Sequence, residues 1–177
     1  MKLPLAYYGD PVLRQKAKTI TTIDDDIRQL VADMEQTMEE NNGCGLAAPQ
    51  VHRSLALFIT RIPRQTEDES IIPGELCVFI NPKILNYSQE EWACSEGCLS
   101  IPGLRGEVSR PFKVILQAMN LEGEIFTEEF EEFDAHVVMH ENDHLNGVLY
   151  IDRLSQKQKR DIAGPLKALK QKLADKR

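Results

Sequence analysis

Apolar side chains recur at helical spacing near the start of the chain. Ile27, Leu30, Val31, Met34 and Met38 fall on one face of a helix. Thr22 and the run Asp24–Asp26 supply a capping signal and negative charge at its start, and Asn41-Asn42-Gly43 supplies its stop. A second helix is predicted over roughly Glu131–Asn146. Phe133, Val137, His140 and His144 share one of its faces, and Gly147 ends it. A third helix follows Ser155, and Asp10-Pro11 opens a short helical turn.

The middle of the chain has a different pattern. Leu55–Thr60, Leu76–Ile80, Val114–Met119 and Glu124–Phe130 are rich in branched and aromatic residues between turn signals, and read as strands. Asn120–Gly123 predicts a hairpin turn between the last two. Arg61–Glu75 is polar, carries Pro63 and Pro73, and predicts a mobile surface loop.

Composition narrows the function classes. At 177 residues, 42% hydrophobic and 28% charged, the chain suits one globular domain with a real core. A net charge of −7 excludes a nucleic-acid coat or a cationic membrane binder. Apolar runs are too short to span a bilayer, and the N-terminus lacks the pattern of a secretory or transit signal. Cys44, Cys77, Cys94 and Cys98 are too few for a disulfide scaffold, which points to free thiols or metal ligands in a reducing cytosol. Charge is unevenly spread. Residues 155–177 carry eight basic side chains against two acids, leaving −13 on the rest. This segment reads as a solvated amphipathic helix or, more sharply, as a docking element for an anionic partner.

The chemistry concentrates at His140-Glu141-Asn142-Asp143-His144. Histidines at i and i+4 on one helical face can share a metal ion, with the intervening glutamate placed to take a proton from water. A catalytic site of this kind needs a third protein ligand. No glutamate follows Glu141, and Tyr150 stands where an extended H-E-x-x-H-x-x-G-x-x-H motif needs histidine. His136 and His144 lie about 12 Å apart along a helix axis, too far for both to join His140 on one ion. His136 is therefore read as a pocket wall or a satisfied histidine. His52 sits in an ordinary polar turn. Among the thiols, residue logic favours Cys98, beside Gly97, over Cys44, Cys77 and Cys94, without deciding the choice.

Three strings together resemble the peptide deformylase family: Gly43-Cys44-Gly45-Leu46-Ala47-Ala48-Pro49-Gln50, Glu96-Gly97-Cys98-Leu99-Ser100, and His140-Glu141-Asn142-Asp143-His144-Leu145-Asn146-Gly147. They match the family's G-x-G-L-A-A-x-Q, E-G-C-L-S and H-E-x-D-H-L-x-G in order. Arg105 and Arg110 fall where the family carries arginines. The resemblance implies an α+β fold, with antiparallel β-sheets packed around a central metal-binding helix and a C-terminal helix. It implies a single catalytic domain over residues 1–177, of which 155–177 form the basic helix or tail. Cys98, His140 and His144 would hold one divalent ion, usually Fe²⁺ and replaceable by Ni²⁺, Co²⁺ or Zn²⁺. The implied reaction removes formyl from the N-terminal formylmethionine of newly made polypeptides in the cytoplasm. Glu141 would be the general base, with the Gln50 amide and the Leu99 backbone N–H stabilising the oxyanion. Gly43 and Gly45 would admit the peptide backbone, Phe133, Val137 and Leu99 would enclose the methionine side chain, and Arg105 would bind substrate. Ribosome docking through the basic segment is implied, but no sequence-specific nucleic acid and no membrane. The chain departs from the family pattern at Cys44, His136 and Met139.

Two other readings compete. A metallopeptidase would need a third ligand other than Cys98 and a cleft for internal peptide bonds. A structural zinc module would need a fourth ligand, such as Cys94, to close the site.

Overall fold

The computed structural model describes residues 1–174. In chain order the elements are α1 (Asp25–Glu40), β1 (Gly45–Ala47), β2 (Leu57–Thr60), β3 (Arg64–Gln65), β4 (Ile71–Ile72), β5 (Cys77–Tyr87), β6 (Glu91–Cys98), β7 (Ile101–Pro111), β8 (Lys113–Met119), β9 (Ile125–Glu131), α2 (Glu132–Leu145) and α3 (Gln156–Ala174). The main sheet is antiparallel, in the order β1-β2-β5-β8-β9, and β6 and β7 form a separate long hairpin.

The sheet is a partition between two helices. On one side α1 buries Ile27, Leu30, Met34 and Met38 against Leu57, Ile59 and Ile80. Its start is fixed by Asp24, whose carboxylate accepts the Ile27 N–H at 3.0 Å. On the other side α2 buries Ala135, Val138, Met139 and Leu145 against Phe58, Phe79, Leu116 and Phe130. Strand β2 lies between the two layers with all four residues buried. That is why Leu57-Phe58-Ile59-Thr60 reads as a near-continuous apolar run instead of an alternation. Strand β8 does alternate, with Val114, Leu116 and Ala118 buried toward α2. A third cluster joins the β6–β7 hairpin to the C-terminal part: Ile101 and Val108 pack with Leu149, Tyr150 and Leu154, and with Ile162, Leu166 and Leu169 of α3.

Helix α2 differs from an ordinary surface helix. Ten of its fourteen residues are buried, from Ala135 through Leu145 with Asn142 excepted. Its core face is Ala135, Val138, Met139 and Leu145, so the predicted face of Phe133, Val137, His140 and His144 is freed for another use. Gly147 ends the helix with φ +70°, and a Cβ there would stand 2.7 Å from the Arg14 carbonyl oxygen.

Several expectations need correction. The stretch Arg61–Glu75, read as a mobile surface loop, holds a small exposed hairpin, β3 paired with β4. The Leu76–Ile80 strand runs on to Tyr87 through two register shifts against β8. The β6–β7 hairpin was absent from the expected strands. The turn at Asn120–Gly123 is as expected: the Asn120 N–H donates to the Glu124 carbonyl at 3.0 Å, with Gly123 at φ +81°.

Candidate active site

The β6–β7 hairpin lies across the outer face of α2 and leaves a cavity of about 650 Å³ between them. The β6–β7 register shifts between Gly97 and Cys98. Such an irregularity re-aims the side chain that follows it, and here that side chain is Cys98. Sγ of Cys98 lies 3.3 Å from Nε2 of His144. Ligand atoms of Cys98, His140 and His144 all lie within 4.8 Å of one another. Among the described residues, no other Cys, His, Asp or Glu joins this group, so a closed four-ligand zinc module has no fourth member here.

Each histidine has its own surroundings. Nδ1 of His140 donates to Oε2 of Glu96 at 2.8 Å, which fixes the ring and leaves its other nitrogen for the shared centre. Burial opposes charge on His140, but its bonds to Cys98 and Glu96 outweigh burial and hold it well above its usual pKa. His144 is pushed well below its usual value by burial, with the neighbouring His140 and Arg110 adding to the effect. Nδ1 of His144 is buried without a protein partner. Ion binding at such a group displaces protons.

Glu141 faces the same space. Burial pushes its carboxyl up to about 7; the charge of Glu96 adds to this, and that of His140 opposes it. Its Oε2 is buried with no hydrogen-bond partner. A buried carboxylate oxygen left bare is costly unless something outside the protein meets it. A cysteine sulfur and two imidazoles within 4.8 Å of one another, on a cavity that this bare oxygen's residue also lines, suit a divalent ion with a water beside it.

Of the predicted site residues, all but His144 line this single cavity; His144 is buried and touches Cys98. Oε1 of Gln50 accepts the Ala47 N–H at 2.8 Å, which turns its Nε2 toward Cys98 Sγ at 3.4 Å and Ser100 Oγ at 3.2 Å. Leu99 packs over Gly43, where a Cβ would lie 3.0 Å from Leu99 Cδ1. Val137 is buried on the cavity wall and Phe133 is half-exposed at its rim. Arg105 lies along β6, with Nε donating to Ser95 Oγ at 3.1 Å and Nη2 to the Ser95 carbonyl at 2.7 Å.

Gly45 has a role beyond the one expected of it. A Cβ at this position would stand 2.5 Å from Oε1 of Glu141, so the missing side chain makes room for the Glu141 carboxylate.

Other residues were not read from the sequence as part of the site. Glu96 is gripped by Arg110, Nε to Oε1 at 2.5 Å and Nη2 to Oε2 at 3.0 Å. Arg110 also donates to Asp143 at 2.8 Å, and Arg153 closes on Asp143 with two bonds of 2.6 Å. Burial raises the Glu96 pKa, but its bonds to Arg110, His136 and His140 hold it far below the carboxylate range. The signal was present: Glu96 and Asp143 sit inside the two strings that carry the ligands. Met139, where the chain departs from the family pattern, faces the sheet in the core.

The polypeptide deformylase family profile matches residues 2–160. The chain belongs to the peptide deformylase family. It is 43% identical over 171 residues to a peptide deformylase of Chlorobaculum parvum, covering 97% of this chain and 89% of that one. A relative from Cytophaga hutchinsonii is 42% identical over 166 residues, covering 94% and 89%. A plant peptide deformylase structure superposes with a TM-score of 0.89 at 36% identity, over 98% of this chain and 92% of that one. A Met-Ala-Ser-bound peptide deformylase from Acinetobacter baumannii superposes with 0.80 at 36% identity, over 87% and 99%. Peptide deformylases remove formyl groups from nascent peptides, and this chain is an enzyme of that class. No described helix is long and apolar enough to cross a membrane.

Proposed function

We propose that this peptide deformylase uses Cys98, His140 and His144 to hold one divalent ion and Glu141 as its general base, within one catalytic unit spanning the chain. The supporting observation is the convergence of these three ligand atoms within 4.8 Å at a cavity that Glu141, with its unpartnered Oε2, also lines. When bound, the ion supplies Lewis-acid chemistry, lowering the pKa of water from 15.7 toward about 7. The donor set suits Fe²⁺, with Ni²⁺, Co²⁺ and Zn²⁺ as replacements.

The protein's own groups do the rest. Glu141 accepts the proton of the attacking water and delivers it to the leaving amine, so that formate and a free N-terminus result. The Gln50 Nε2–H and the Leu99 backbone N–H donate to the formyl oxygen as it gains negative charge; one such donor is worth about 10²–10³ in rate. Gly43 and the neighbouring backbone receive the peptide as an added strand. Val137, Leu99 and Phe133 enclose the methionine side chain, and Arg105 holds the peptide at the rim. The enzyme acts in the cytoplasm on nascent chains, and the basic face of α3 brings it to ribosomal RNA.

The test is formate release from formyl-Met peptides by metal-replete protein, set against acetyl-Met peptides. Formyl substrates are expected to turn over and acetyl substrates not. Glu141→Gln is expected to bind metal normally and lose about 10²–10⁴-fold in turnover. Near-parent turnover in that variant contradicts the base assignment.

A further inference from the structure

We propose that His136 is a positioning residue of the metal centre, holding the Glu96 carboxylate that orients His140. The inference rests on the reading of Cys98, His140 and His144 as ligands. His136 lies one helical turn before His140 on α2, on the cavity wall, and is 2% exposed. Its Nδ1 meets Glu96 Oε1 at 3.0 Å and its Nε2 meets the Trp92 carbonyl oxygen at 2.9 Å. Each ring nitrogen thus faces an oxygen acceptor of β6. The Trp92 indole closes edge-on over it, with centroids 5.1 Å apart at 86°.

Four hydrogen bonds fill the Glu96 carboxylate. Oε1 takes Arg110 Nε and His136 Nδ1; Oε2 takes Arg110 Nη2 and His140 Nδ1. Arg110 belongs to β7, the strand paired with β6, so it fixes Glu96 within the hairpin. His136 and His140 bond that carboxylate to α2 directly, while Arg110 reaches α2 at one remove, through Asp143. His136 is the firmer of the two ties, because it also grips β6 a second time at Trp92, four residues before Glu96. It therefore sets where Glu96 sits along the helix, and Glu96 in turn sets the His140 ring. An apolar side chain at 136 would leave the Trp92 carbonyl without this donor and let Glu96 shift against the ligand it holds. Outer partners of ligand histidines commonly govern metal affinity by about 10–100-fold.

The test is equilibrium titration of the metal-free full chain with Co²⁺ against a competing chelator, read by d–d and thiolate-to-metal absorption. The parent protein is expected to bind Co²⁺ with a thiolate band; if it does not, the ligand reading itself fails. His136→Leu is expected to weaken Co²⁺ binding about 10–100-fold and shift the d–d bands. His136→Gln, which keeps a donor within reach of Glu96, is expected to recover most of the affinity. A folded His136→Leu protein that binds Co²⁺ as tightly as the parent, with the same spectrum, overturns the positioning role and leaves the ligands intact. So does a His136→Gln protein no better than His136→Leu, since packing alone would then explain the loss. If His136→Leu does not fold, His136→Asn, polar but too short to reach Glu96, takes its place with the same expectations.

Discussion

Gly45 and Glu141 meet across the site with no room to spare: a Cβ on Gly45 would lie 2.5 Å from Glu141 Oε1 and 2.9 Å from its Cδ. Strand β1 thus bounds the space that the Glu141 carboxylate, the proposed base, occupies. Gly45→Ala must displace one of them. A misplacement of about 1 Å at reacting groups costs on the order of 10²-fold in rate. The variant is expected to keep its metal, because Gly45 touches no ligand, while its turnover on formyl-Met peptides falls by about that factor. Parallel metal analysis and steady-state kinetics check this. Unchanged turnover would show that the carboxylate relaxes freely.

Arg110 is 2% exposed and joins two buried carboxylates, Glu96 and Asp143, in one network. Removing one partner of a buried ion pair leaves uncompensated charge and costs about 3–5 kcal/mol. Arg110→Met is therefore expected to lose stability on that scale in urea unfolding. A loss below about 1 kcal/mol would mean that Arg153 and the two histidines satisfy both carboxylates alone.

The C-terminal helix turns Ile162, Leu166 and Leu169 inward onto the third core cluster and leaves Lys157, Arg160, Lys167, Lys170 and Lys172 exposed. If that face meets ribosomal RNA, binding must weaken steeply with salt, through counterion release. Replacing Lys167, Lys170 and Lys172 by glutamine is expected to reduce co-sedimentation with ribosomes at low salt and to leave short-peptide hydrolysis intact. Undiminished co-sedimentation would make the helix a solvated face only.

What the sequence made legible was local. The period of Ile27–Met38 and the spacing of His140 and His144 are properties of one helix each, and both appear in the structure as read. The β6–β7 hairpin was illegible because Glu91–Cys98 mixes tryptophan and alanine with glutamate, serine and glycine. Burial alternates along the strand, but its inward face is Trp92, Cys94 and Glu96, so a buried carboxylate breaks the apolar–polar pattern that marks a half-buried strand. The roles of Glu96, His136 and Gly45 depend on contacts across 40 to 96 positions of chain, which no periodicity encodes. The last three residues of the basic segment lie outside the described residues.

The central claim is that Cys98 is the thiol of the metal centre. Sγ of Cys98 lies 3.3 Å from His144 Nε2, while Cys44 and Cys94 line the cavity without joining the ligand group, and Cys77 is exposed elsewhere. The direct measurement is metal stoichiometry and affinity in single Cys→Ser variants, purified without air. Cys44→Ser, Cys77→Ser and Cys94→Ser are expected to retain about one tightly held ion per chain, as a three-ligand site requires. Cys98→Ser is expected to lose tight binding, because a neutral hydroxyl replaces a thiolate. Full, tight occupancy in Cys98→Ser would contradict the account.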